Sequence, residues 1–478
     1  MMKNFKLPLY IRISLYAVVV FGVLWYVWYH YYYYSMMWLE GYSFFSTLPD
    51  TTFLSAVFPD DTLKYIGAFL LQFYYYPVVG AALQAFYAVV IMLCAMTIVV
   101  RLFAYPSRSL WLAAVPVPFF VGAQFWDTSL TRSLTWIVVF MVVAAVVYGI
   151  TLRKCSILRL PSFLANVVVE VVAVLLILFF SVYNLGYKDS NNHVQEYFCK
   201  LEYLADTRQW DALLEIATPE KSQHSDIVRR FALLALIEKG VLNEQMFLYG
   251  VTSRDDFYFK DRDEPLCRSF NALFFRSLGM PNEMIHQTFQ QQIQSNFGTC
   301  FTVLRRLAET NLETKNYALA KKYMDILSHS TVMKGWVEKR KPQLEAIRNS
   351  KPVFEAKGEQ FYTADVLVVA AAMHDRYPSV RKYADILLCG LLAERNGDEF
   401  YPAFKVIAEV QYSHGERIPH YYEEALMLIA PKEPEVLQKY TISRDVQDAF
   451  QNVMQLVNNG EIARMRSLCP NSFWAYFF

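Results

Sequence analysis

Acidic side chains are concentrated between residues 35 and 64, a polar stretch that separates two strongly apolar segments. Its four acids, opposed by Lys64 alone, are Glu40, Asp50, Asp60 and Asp61. A carboxylate whose pKa lies near the working pH can remove a proton from a reacting group, so any of these acids could serve as a general base. The competing interpretation is a solvated acidic loop that carries no chemistry.

Three further polar residues lie beside or within the apolar segments of the first 187 residues. Asp127 and Arg132 follow an apolar run and could hold a phosphate group or a metal ion. Glu170 lies inside a later run, where an ionisable side chain is costly and is therefore a candidate functional group. The alternative, which we favour, is a structural carboxyl at Glu170 that is hydrogen-bonded to a neighbouring helix and is protonated or paired with Arg101 or Arg132.

The remaining chemistry-bearing residues do not form a recognisable site. The seven cysteines are dispersed, with no CxxC pair and no Cys/His ligand spacing, which indicates buried free thiols and no disulfide framework. The motifs HExxH and GxGxxG and the P-loop pattern do not occur, so zinc-hydrolase, dinucleotide and nucleotide chemistry lack support. The formal net charge of +1 does not favour nucleic acid as a partner. No metal and no cofactor is predicted.

The elements that would position these groups divide at the apolar run from residue 160 to residue 187. Residues 1–187 hold only 10 of the 45 basic and 6 of the 44 acidic side chains, which is typical of a segment buried in lipid. Residues 188–478 have the charge density of a water-soluble domain. We therefore predict a transmembrane domain over residues 1–187 and a separate helical domain over residues 188–478.

Five membrane spans are predicted in the first part. Four of them are Ile13–His30, Leu110–Phe125, Ser133–Ile150 and Ser162–Tyr183. The fifth lies within residues 65–100, a mostly apolar stretch that Pro77 and Gly80 interrupt and that could also form two tight spans. In the five-span prediction, residues 65–76 lie at the membrane interface together with the rest of the outer loop, residues 35–76.

Charge decides between five and six spans. With five spans, eight of the ten basic residues face the cytoplasm, namely Lys3, Lys6, Arg12, Arg101, Arg108, Arg153, Lys154 and Arg159. Six spans would place five of these residues outside, against the positive-inside bias. We therefore predict a multi-pass protein of the inner (cytoplasmic) membrane whose C-terminal domain is extracytoplasmic (periplasmic).

Helical periodicity dominates residues 188–478, and helix pairs recur about every 30–40 residues, as in an α-solenoid. The clearest pair, predicted at residues 299–312 and 317–328, resembles a tetratricopeptide repeat. Its packing residues are Leu304, Leu307, Ala308, Tyr317 and Ala320. The pair departs from that motif at Asn311, Leu327 and Val332. The predicted fold is therefore all-α, with polytopic membrane helices followed by a tetratricopeptide-like α-solenoid.

The chain ends in residues 473–478, of which five are aromatic. An exposed aromatic cluster of this size is unfavourable in water and marks either a contact surface or a docked segment. We predict that it docks on the last helices as an apolar cap. A contact with the membrane surface or with a partner is the alternative.

The layout resembles an uncharacterised family of multi-pass Bacteroidota envelope proteins. The resemblance rests on the aromatic end of the first span (residues 25–34), on the loop start Trp38-Leu39-Glu40-Gly41 and on the aromatic C-terminus. It implies an envelope setting and supplies no chemistry. We favour an envelope scaffold or adaptor that is anchored in the lipid bilayer and binds a protein or peptide partner on its solenoid.

The alternative function is that of a membrane enzyme similar to glycosyltransferases that use a lipid-linked sugar. Those enzymes have a comparable first span, followed by an outer loop with interfacial helices and catalytic carboxylates. In that case the acids between residues 35 and 64 would supply the base. Five spans are fewer than such enzymes have, which favours the adaptor.

Overall fold

The computed structural model describes residues 8–47, 59–103, 109–124, 127–151, 158, 161, 167–186, 190–260, 262–293, 298–353, 365–412 and 417–478. Over these residues the chain is built from helices, and its only β-type pairing is one isolated bridge between Phe103 and Leu158. The predicted all-α class is confirmed. Contacts group the chain into two compact units. Unit 1 comprises residues 1–200 and 292–353, and unit 2 comprises residues 201–291 and 354–478.

The helices are numbered here in chain order. Those of the first 206 residues are α1 (Leu9–Tyr31), α2 (Tyr33–Gly41), α3 (Pro59–Leu71), α4 (Pro77–Leu102), α5 (Pro116–Gln124), α6 (Thr131–Ile150), α7 (Val167–Gly186) and α8 (Ser190–Asp206). They are followed by α9 (Trp210–Ile216), α10 (Pro219–His224), α11 (Asp226–Lys239), α12 (Leu242–Gln245), α13 (Pro265–Ser277) and α14 (Pro281–Ile293). The next three are α15 (Phe301–Glu313), α16 (Tyr317–Ser328) and α17 (Lys334–Ala346). The last part holds α18 (Val366–Arg376), α19 (Arg381–Ala393), α20 (Gly397–Gln411), α21 (His420–Ile429), α22 (Glu435–Lys439), α23 (Arg444–Asn458), α24 (Ile462–Leu468) and α25 (Phe473–Phe477).

Four of the helices in the described residues, α1, α4, α6 and α7, are long and apolar enough to cross a membrane. They correspond to four of the five predicted spans. The outward faces of α6 and α7 carry exposed apolar side chains such as Val142 and Phe179, as expected for helices that face lipid. The fifth predicted span, Leu110–Phe125, is a shorter apolar piece, because a 3-10 turn (Leu110–Ala114) precedes α5, which ends at Gln124.

The apolar helices of unit 1 have two distinct ends. At the loop end, the Trp25 indole N–H donates to the Val78 carbonyl oxygen (3.2 Å), which places the end of α1 beside the start of α4. At the opposite end, called the Arg12 end, Arg12 of α1 pairs with Glu170 in the first turn of α7. Helices α1 and α7 are therefore parallel to each other, and α4 is antiparallel to α1.

Helices α4 and α6 run in the same direction. Near their C-terminal ends, the Arg101 guanidinium lies 4.1 Å from the centroid of the Tyr148 ring. Near the start of α6, the Ser129 carbonyl oxygen lies so close to Gly67 of α3 that a Cβ there would be 2.2 Å away. Since α3 leads into the start of α4, the start of α6 is also at the loop end.

Residues 110–124 return from the Arg12 end toward the loop end. This follows because α4 finishes at one end and the parallel α6 begins at the other. The Gln124 side-chain N–H₂ donates to the backbone oxygen of Gln84, in the second turn of α4 (3.1 Å). At about 2.0 Å per residue in the 3-10 turn and about 1.5 Å in the α-helix, this return is about 25 Å long. The described chain of unit 1 thus makes five passes between its two ends.

The outer loop packs on helices from the later part of the chain. Helix α3 is 13 residues long and ends at Leu71, where a 3-10 turn (Gln72–Tyr75) follows, so residues 65–76 do not form a helix long enough to span. Tyr65, Phe73 and Tyr75 pack on a core formed by α15, α16 and α17. We call α2, α3, α15, α16 and α17 together the loop cluster. Because of this cluster, the compact units divide the chain differently from the predicted cut at residue 187.

Unit 2 is a helical domain whose contacts join distant parts of the chain. The amide of Asn243, in α12, donates to the Asp385 carboxylate of α19 (2.8 Å). The ring of Phe247 stacks on Tyr476 of α25, with centroids 4.6 Å apart. In a solenoid each repeat contacts only the repeats next to it in the chain. These two contacts join helices that are far apart in the chain, so an open stack of repeats would not make them. The repeat class of this domain stays a prediction.

Candidate functional site

The predicted acid Glu40 lies at the centre of the loop cluster. Helix α2 ends at Gly41, and the Ser43 carbonyl oxygen accepts a hydrogen bond from the Phe301 N–H at the start of α15 (3.0 Å). A Cβ at Gly41 would lie 2.5 Å from the Thr302 hydroxyl oxygen, so a side chain at this position would not fit without displacement. This close approach brings the Glu40 carboxylate to the Arg305 guanidinium of α15, with Oε2 3.4 Å from Nη2.

The electrostatics of Glu40 are those of an enclosed ion pair. The residue is only 1% exposed. Burial raises the pKa of its carboxyl, and the nearby Arg305 guanidinium opposes that rise. A buried carboxylate needs a cation of this kind, since an unpaired charge in a low-dielectric interior is strongly unfavourable. In this arrangement Glu40 ties α2 to α15, and it offers no surface that a sugar-sized substrate could reach.

A second set of polar contacts fixes the other edge of the loop cluster. The side-chain oxygen of Gln72, which is fully buried, accepts hydrogen bonds from the Ser330 hydroxyl and the Thr331 N–H (3.1 Å each). The Thr47 N–H and hydroxyl both donate to the His329 carbonyl oxygen (3.1 and 3.0 Å). The turn after α16 is therefore bound by Thr47, which precedes α3 in the chain, and by Gln72, which follows it.

Glu196 of α8 completes the contacts around α2, although the sequence did not single it out. Its carboxylate accepts hydrogen bonds from the Tyr34 N–H (2.9 Å), the Ser35 N–H (2.7 Å) and the Ser35 hydroxyl. Burial raises the pKa of Glu196, while these hydrogen bonds lower it. A carboxylate at a helix N-terminus is favourable because the free N–H groups there carry partial positive charge.

The remaining predicted catalytic candidates do not join Glu40 in one described site. Asp50 lies outside the described residues, and the side chains of Asp60 and Asp61, at the start of α3, are outside the described part as well. Asp127 is buried, and its Oδ2 accepts a hydrogen bond from the Ser133 N–H in the first turn of α6 (2.6 Å). Arg132 is exposed.

Glu170 has a partner different from those considered in the sequence. It pairs with Arg12 and accepts a hydrogen bond from the Tyr16 hydroxyl, both on α1. Arg101, one of the two partners considered, instead lies over the Tyr148 ring. The neighbouring-helix contact expected for a structural carboxyl is present, with Arg12 in place of Arg101 or Arg132. The sequence did not indicate this pairing, because Arg12 lies 158 positions away.

The helix pair predicted near residue 310 is present as α15 and α16. Leu304, Leu307, Ala308 and Ala320 are buried, and Tyr317 is half-buried at the start of α16. Because Ala308 and Ala320 have no side chain beyond Cβ, the two helices can pack closely. Buried residues of the pair share a core with α3 and the residues after α2, so this face of the pair is occupied by the protein's own outer loop.

The C-terminal aromatic residues dock within unit 2, as predicted. The Trp474 indole N–H donates to the Glu424 carbonyl oxygen (2.9 Å), and the Phe473 N–H donates to the Glu424 carboxylate (2.6 Å). Phe473 and Tyr476 also contact Phe247, which does not belong to the last helices. The sequence did not predict this contact.

A groove of about 480 Å³ lies beside the docked α25, and we call it the C-terminal groove. Its aromatic lining consists of Phe400, Tyr401, Phe473 and Phe477, and its basic lining consists of Arg395, Lys405 and Lys432. The Lys405 ammonium lies 4.5 Å from the centroid of the Tyr401 ring. Asp398 and Glu433 supply the acidic part of the lining. The sequence did not predict this groove, because its residues come from four separate helices and from the loops that follow two of them.

The described chain has long apolar helices in its first part and a folded helical domain in its later part. It is therefore an all-helical protein with helices of the length and composition that can span a membrane. The chain belongs to a family of unknown function, DUF6057, whose pattern matches residues 9–180 and 133–478. Comparisons with curated proteins and with solved structures give no match. The family carries no assigned reaction.

Proposed function

We propose that this protein is a membrane-anchored scaffold or adaptor of the cell envelope whose second unit binds a protein or peptide partner. The observation that carries this proposal is the C-terminal groove. It combines an aromatic floor with basic side chains, of which Arg395 and Lys432 are exposed. Aromatic and arginine side chains are the residue types most enriched at protein-binding hot spots. The partner segment is expected to carry an apolar side chain and an acidic group.

The contacts of Glu40 and Asp127 support an adaptor over a glycosyltransferase-like enzyme. A general base must reach the proton that it removes, within about 3 Å or through one water. Glu40 is enclosed against Arg305, and Asp127 is engaged with the start of α6. Each of these described acids has a structural partner within the chain, and no described group of three or more His, Cys, Asp or Glu residues could hold a metal ion.

The proposed setting is the inner membrane, with residues 190–478 on the extracytoplasmic side. In this proposal all five passes cross the bilayer, so the start of α1 and the start of α8 lie on opposite sides. The basic residues Arg12 and Arg101 lie at or near one end of the bundle, and the positive-inside bias assigns that end to the cytoplasm. A periplasm-dependent reporter fused after Asn192 should be active and a cytoplasm-dependent reporter silent, and the reverse pattern would contradict this topology.

Site-specific photocrosslinking tests the adaptor itself. A photoreactive residue in place of Lys432 in the C-terminal groove should crosslink a discrete protein or peptide in intact cells. The matched control is the same residue in place of Lys439, an exposed lysine of unit 2 that pairs with Glu409. The photoreactive variant with an added Tyr401→Ala substitution should lose the product. Equal crosslinking from both positions, or a product unaffected by Tyr401→Ala, would contradict the assignment of the groove.

A further inference from the structure

Positive charge is concentrated in residues 314–353, a stretch of unit 1 that contains α16 and α17. It holds nine basic and three acidic side chains, so its formal net charge is +6, whereas that of the whole chain is +1. The rest of the protein is therefore net negative. A local excess of one sign attracts ligands of the opposite sign, so this stretch is suited to an anionic ligand.

Three of the nine basic residues are paired with acids of the same chain. They are Arg340 with Glu309, Lys341 with Glu338, and Arg348 with Glu345. The other six are exposed and form no ion pair with any residue that the structure describes. We call them the lysine surface: Lys315, Lys321, Lys322, Lys334, Lys339 and Lys351. Asp325 is the one remaining acid of the stretch, so a clear positive excess is left.

Helices α16 and α17 lie side by side and present this surface together. The Val353 N–H donates to the Thr314 carbonyl oxygen (2.8 Å), so the chain after α17 returns to the start of α16 and the two helices are antiparallel. Their buried side chains belong to the core that they share with the outer loop, and the lysines lie on the sides away from it. An added Cβ at Gly335 would meet no atom within 4 Å, so the surface beside Lys334 is open.

The start of α17 lies beside the turn that leads into the apolar helices. The side-chain oxygen of Gln72 accepts hydrogen bonds from Ser330 and Thr331, just before α17 begins at Lys334. Gln72 begins the 3-10 turn that ends at Tyr75, two positions before α4. The start of α17 is therefore held where the chain enters its second long apolar helix.

The middle of α17 lies near the same turn. Burial raises the pKa of Tyr75, and the guanidinium groups of Arg305 and Arg340 oppose that rise, so Arg340 is close to this tyrosine. Lys334 and Lys339 lie between Thr331 and Arg340 in the chain. Both ends of their segment thus approach the turn that precedes α4, which places these two lysines at the loop end of the apolar helices.

We propose that Lys334 and Lys339 bind the headgroups of anionic phospholipids in the leaflet at the loop end, and that the other four lysines strengthen the attraction. The inference rests on the membrane anchoring proposed above and does not depend on the C-terminal groove. A lysine ammonium binds a phosphate as a point charge, and its attraction to a membrane surface fades within a Debye length. The positive-inside bias is counted over short loops, so this surface leaves the proposed topology unchanged.

Amine labelling of the full chain in lipid nanodiscs tests the proposal, because an ammonium held by a headgroup reacts more slowly with an amine-directed reagent. The compositions compared are phosphatidylcholine alone and phosphatidylcholine mixed with phosphatidylglycerol. Mass spectrometry of the digested protein gives the labelling rate of each lysine. In the anionic nanodiscs Lys334 and Lys339 should react about fivefold more slowly, the factor expected for one lysine at an anionic membrane surface. Lys239 and Lys439, exposed lysines of unit 2, should react equally in both.

Salt and a double variant supply two further measurements. Raising the salt to about 1 M, where the Debye length falls to about 3 Å, should remove the difference in labelling. Phosphatidylglycerol should raise the melting temperature of the wild type, because a ligand that binds the folded state stabilises it. Lys334→Gln/Lys339→Gln should lose most of this gain, and the matched control Lys239→Gln/Lys439→Gln should keep it.

Five results would overturn the proposal. They are equal labelling of Lys334 and Lys339 in the two nanodiscs, equal slowing of Lys239 and Lys439, a difference that survives high salt, an unchanged melting-temperature gain in Lys334→Gln/Lys339→Gln, and slowing by inorganic phosphate in phosphatidylcholine nanodiscs as large as that by phosphatidylglycerol. Labelling needs no variant, so it decides the outcome even if the double variant does not fold. A chain that does not enter nanodiscs would contradict the membrane anchoring itself, which distinguishes the two failures.

Discussion

The loop cluster of unit 1 and the C-terminal groove of unit 2 use charged residues in opposite ways. In the loop cluster, Glu40 is enclosed and paired with Arg305 of the same chain. In the groove, Arg395 and Lys432 stay exposed beside an aromatic floor. A charge that is buried with its partner holds two helices in place, whereas a charge left at a rim stays available for another molecule. The difference shows that Glu40 has a structural partner within the chain, and it is the reason for proposing unit 2 as the partner-binding part.

The largest expected effect is the loss of one member of the enclosed pair. Arg305→Met should destabilise unit 1 by about 3 kcal/mol or more, because it leaves the Glu40 carboxylate buried without its cation. The measurement is the apparent melting temperature in detergent. Lys341→Met is the control, since Lys341 pairs with Glu338 on the exposed surface. The double variant Glu40→Leu/Arg305→Met should recover much of the loss, and no recovery would show that the pair does not act as a unit.

A buried acid that is held by two neutral hydrogen-bond donors sharpens the comparison. Asp385 of unit 2 accepts hydrogen bonds from Asn243 and the Tyr422 hydroxyl (2.8 Å each). Burial raises the pKa of Asp385 from 3.8 to about 6, despite these bonds. The folded state thus binds this proton more tightly than the unfolded chain does. Its contribution to stability is present below pH 4 and is lost as the pH rises to about 6.

Asp385→Asn tests that contribution, because an amide does not titrate in this range. Between pH 4 and pH 7 the wild type should lose up to about 3 kcal/mol relative to Asp385→Asn, at about 1.4 kcal/mol per pKa unit. Thermal unfolding of both proteins across this range measures the difference. Parallel pH profiles for the two proteins would contradict the raised pKa.

The close approach of α2 and α15 should be sensitive to a single methyl group. Gly41→Ala should cost about 1–3 kcal/mol, because the new Cβ overlaps the Thr302 hydroxyl. Adding Thr302→Ala should relieve much of this cost. The control is Gly335→Ala in α17, where no atom lies within 4 Å of the added Cβ and where alanine favours the helix. Similar melting temperatures for Gly41→Ala and Gly335→Ala would rule out the tight contact.

The smallest effect on stability is expected at the groove. Lys405→Ala and Lys432→Ala should each change the free energy of unfolding by less than about 0.5 kcal/mol, as is usual for surface positions. Melting temperatures of the full chain measure this. A loss as large as that of Arg305→Met would mean that the groove lysines hold the fold together, and the contrast between the two regions would disappear.

The sequence by itself determined the local elements of this protein. The helical class follows from the periodicity of the chain, and four of the five predicted spans are helices of the expected length. The α15 and α16 pair also follows from local signals, because Leu304, Leu307 and Ala308 lie at helical spacing on one face of α15. These features depend on residues a few positions apart, where helix geometry fixes which side chains share a face.

Only the tertiary structure decided which distant residues meet. Glu40 pairs with Arg305, Glu170 pairs with Arg12, and Phe247 stacks on Tyr476. The two partners of each contact are more than 150 positions apart in the chain. Nothing local in the chain encodes such pairings, since an acid on a helix has the same sequence signature whether it faces water or a buried arginine. For this reason the sequence left the outer-loop acids open between a general base and a solvated loop, whereas the packing of α15 against α2 gives Glu40 a structural role. The same packing placed α15, α16 and α17 in unit 1, far from the cut that charge density alone had predicted.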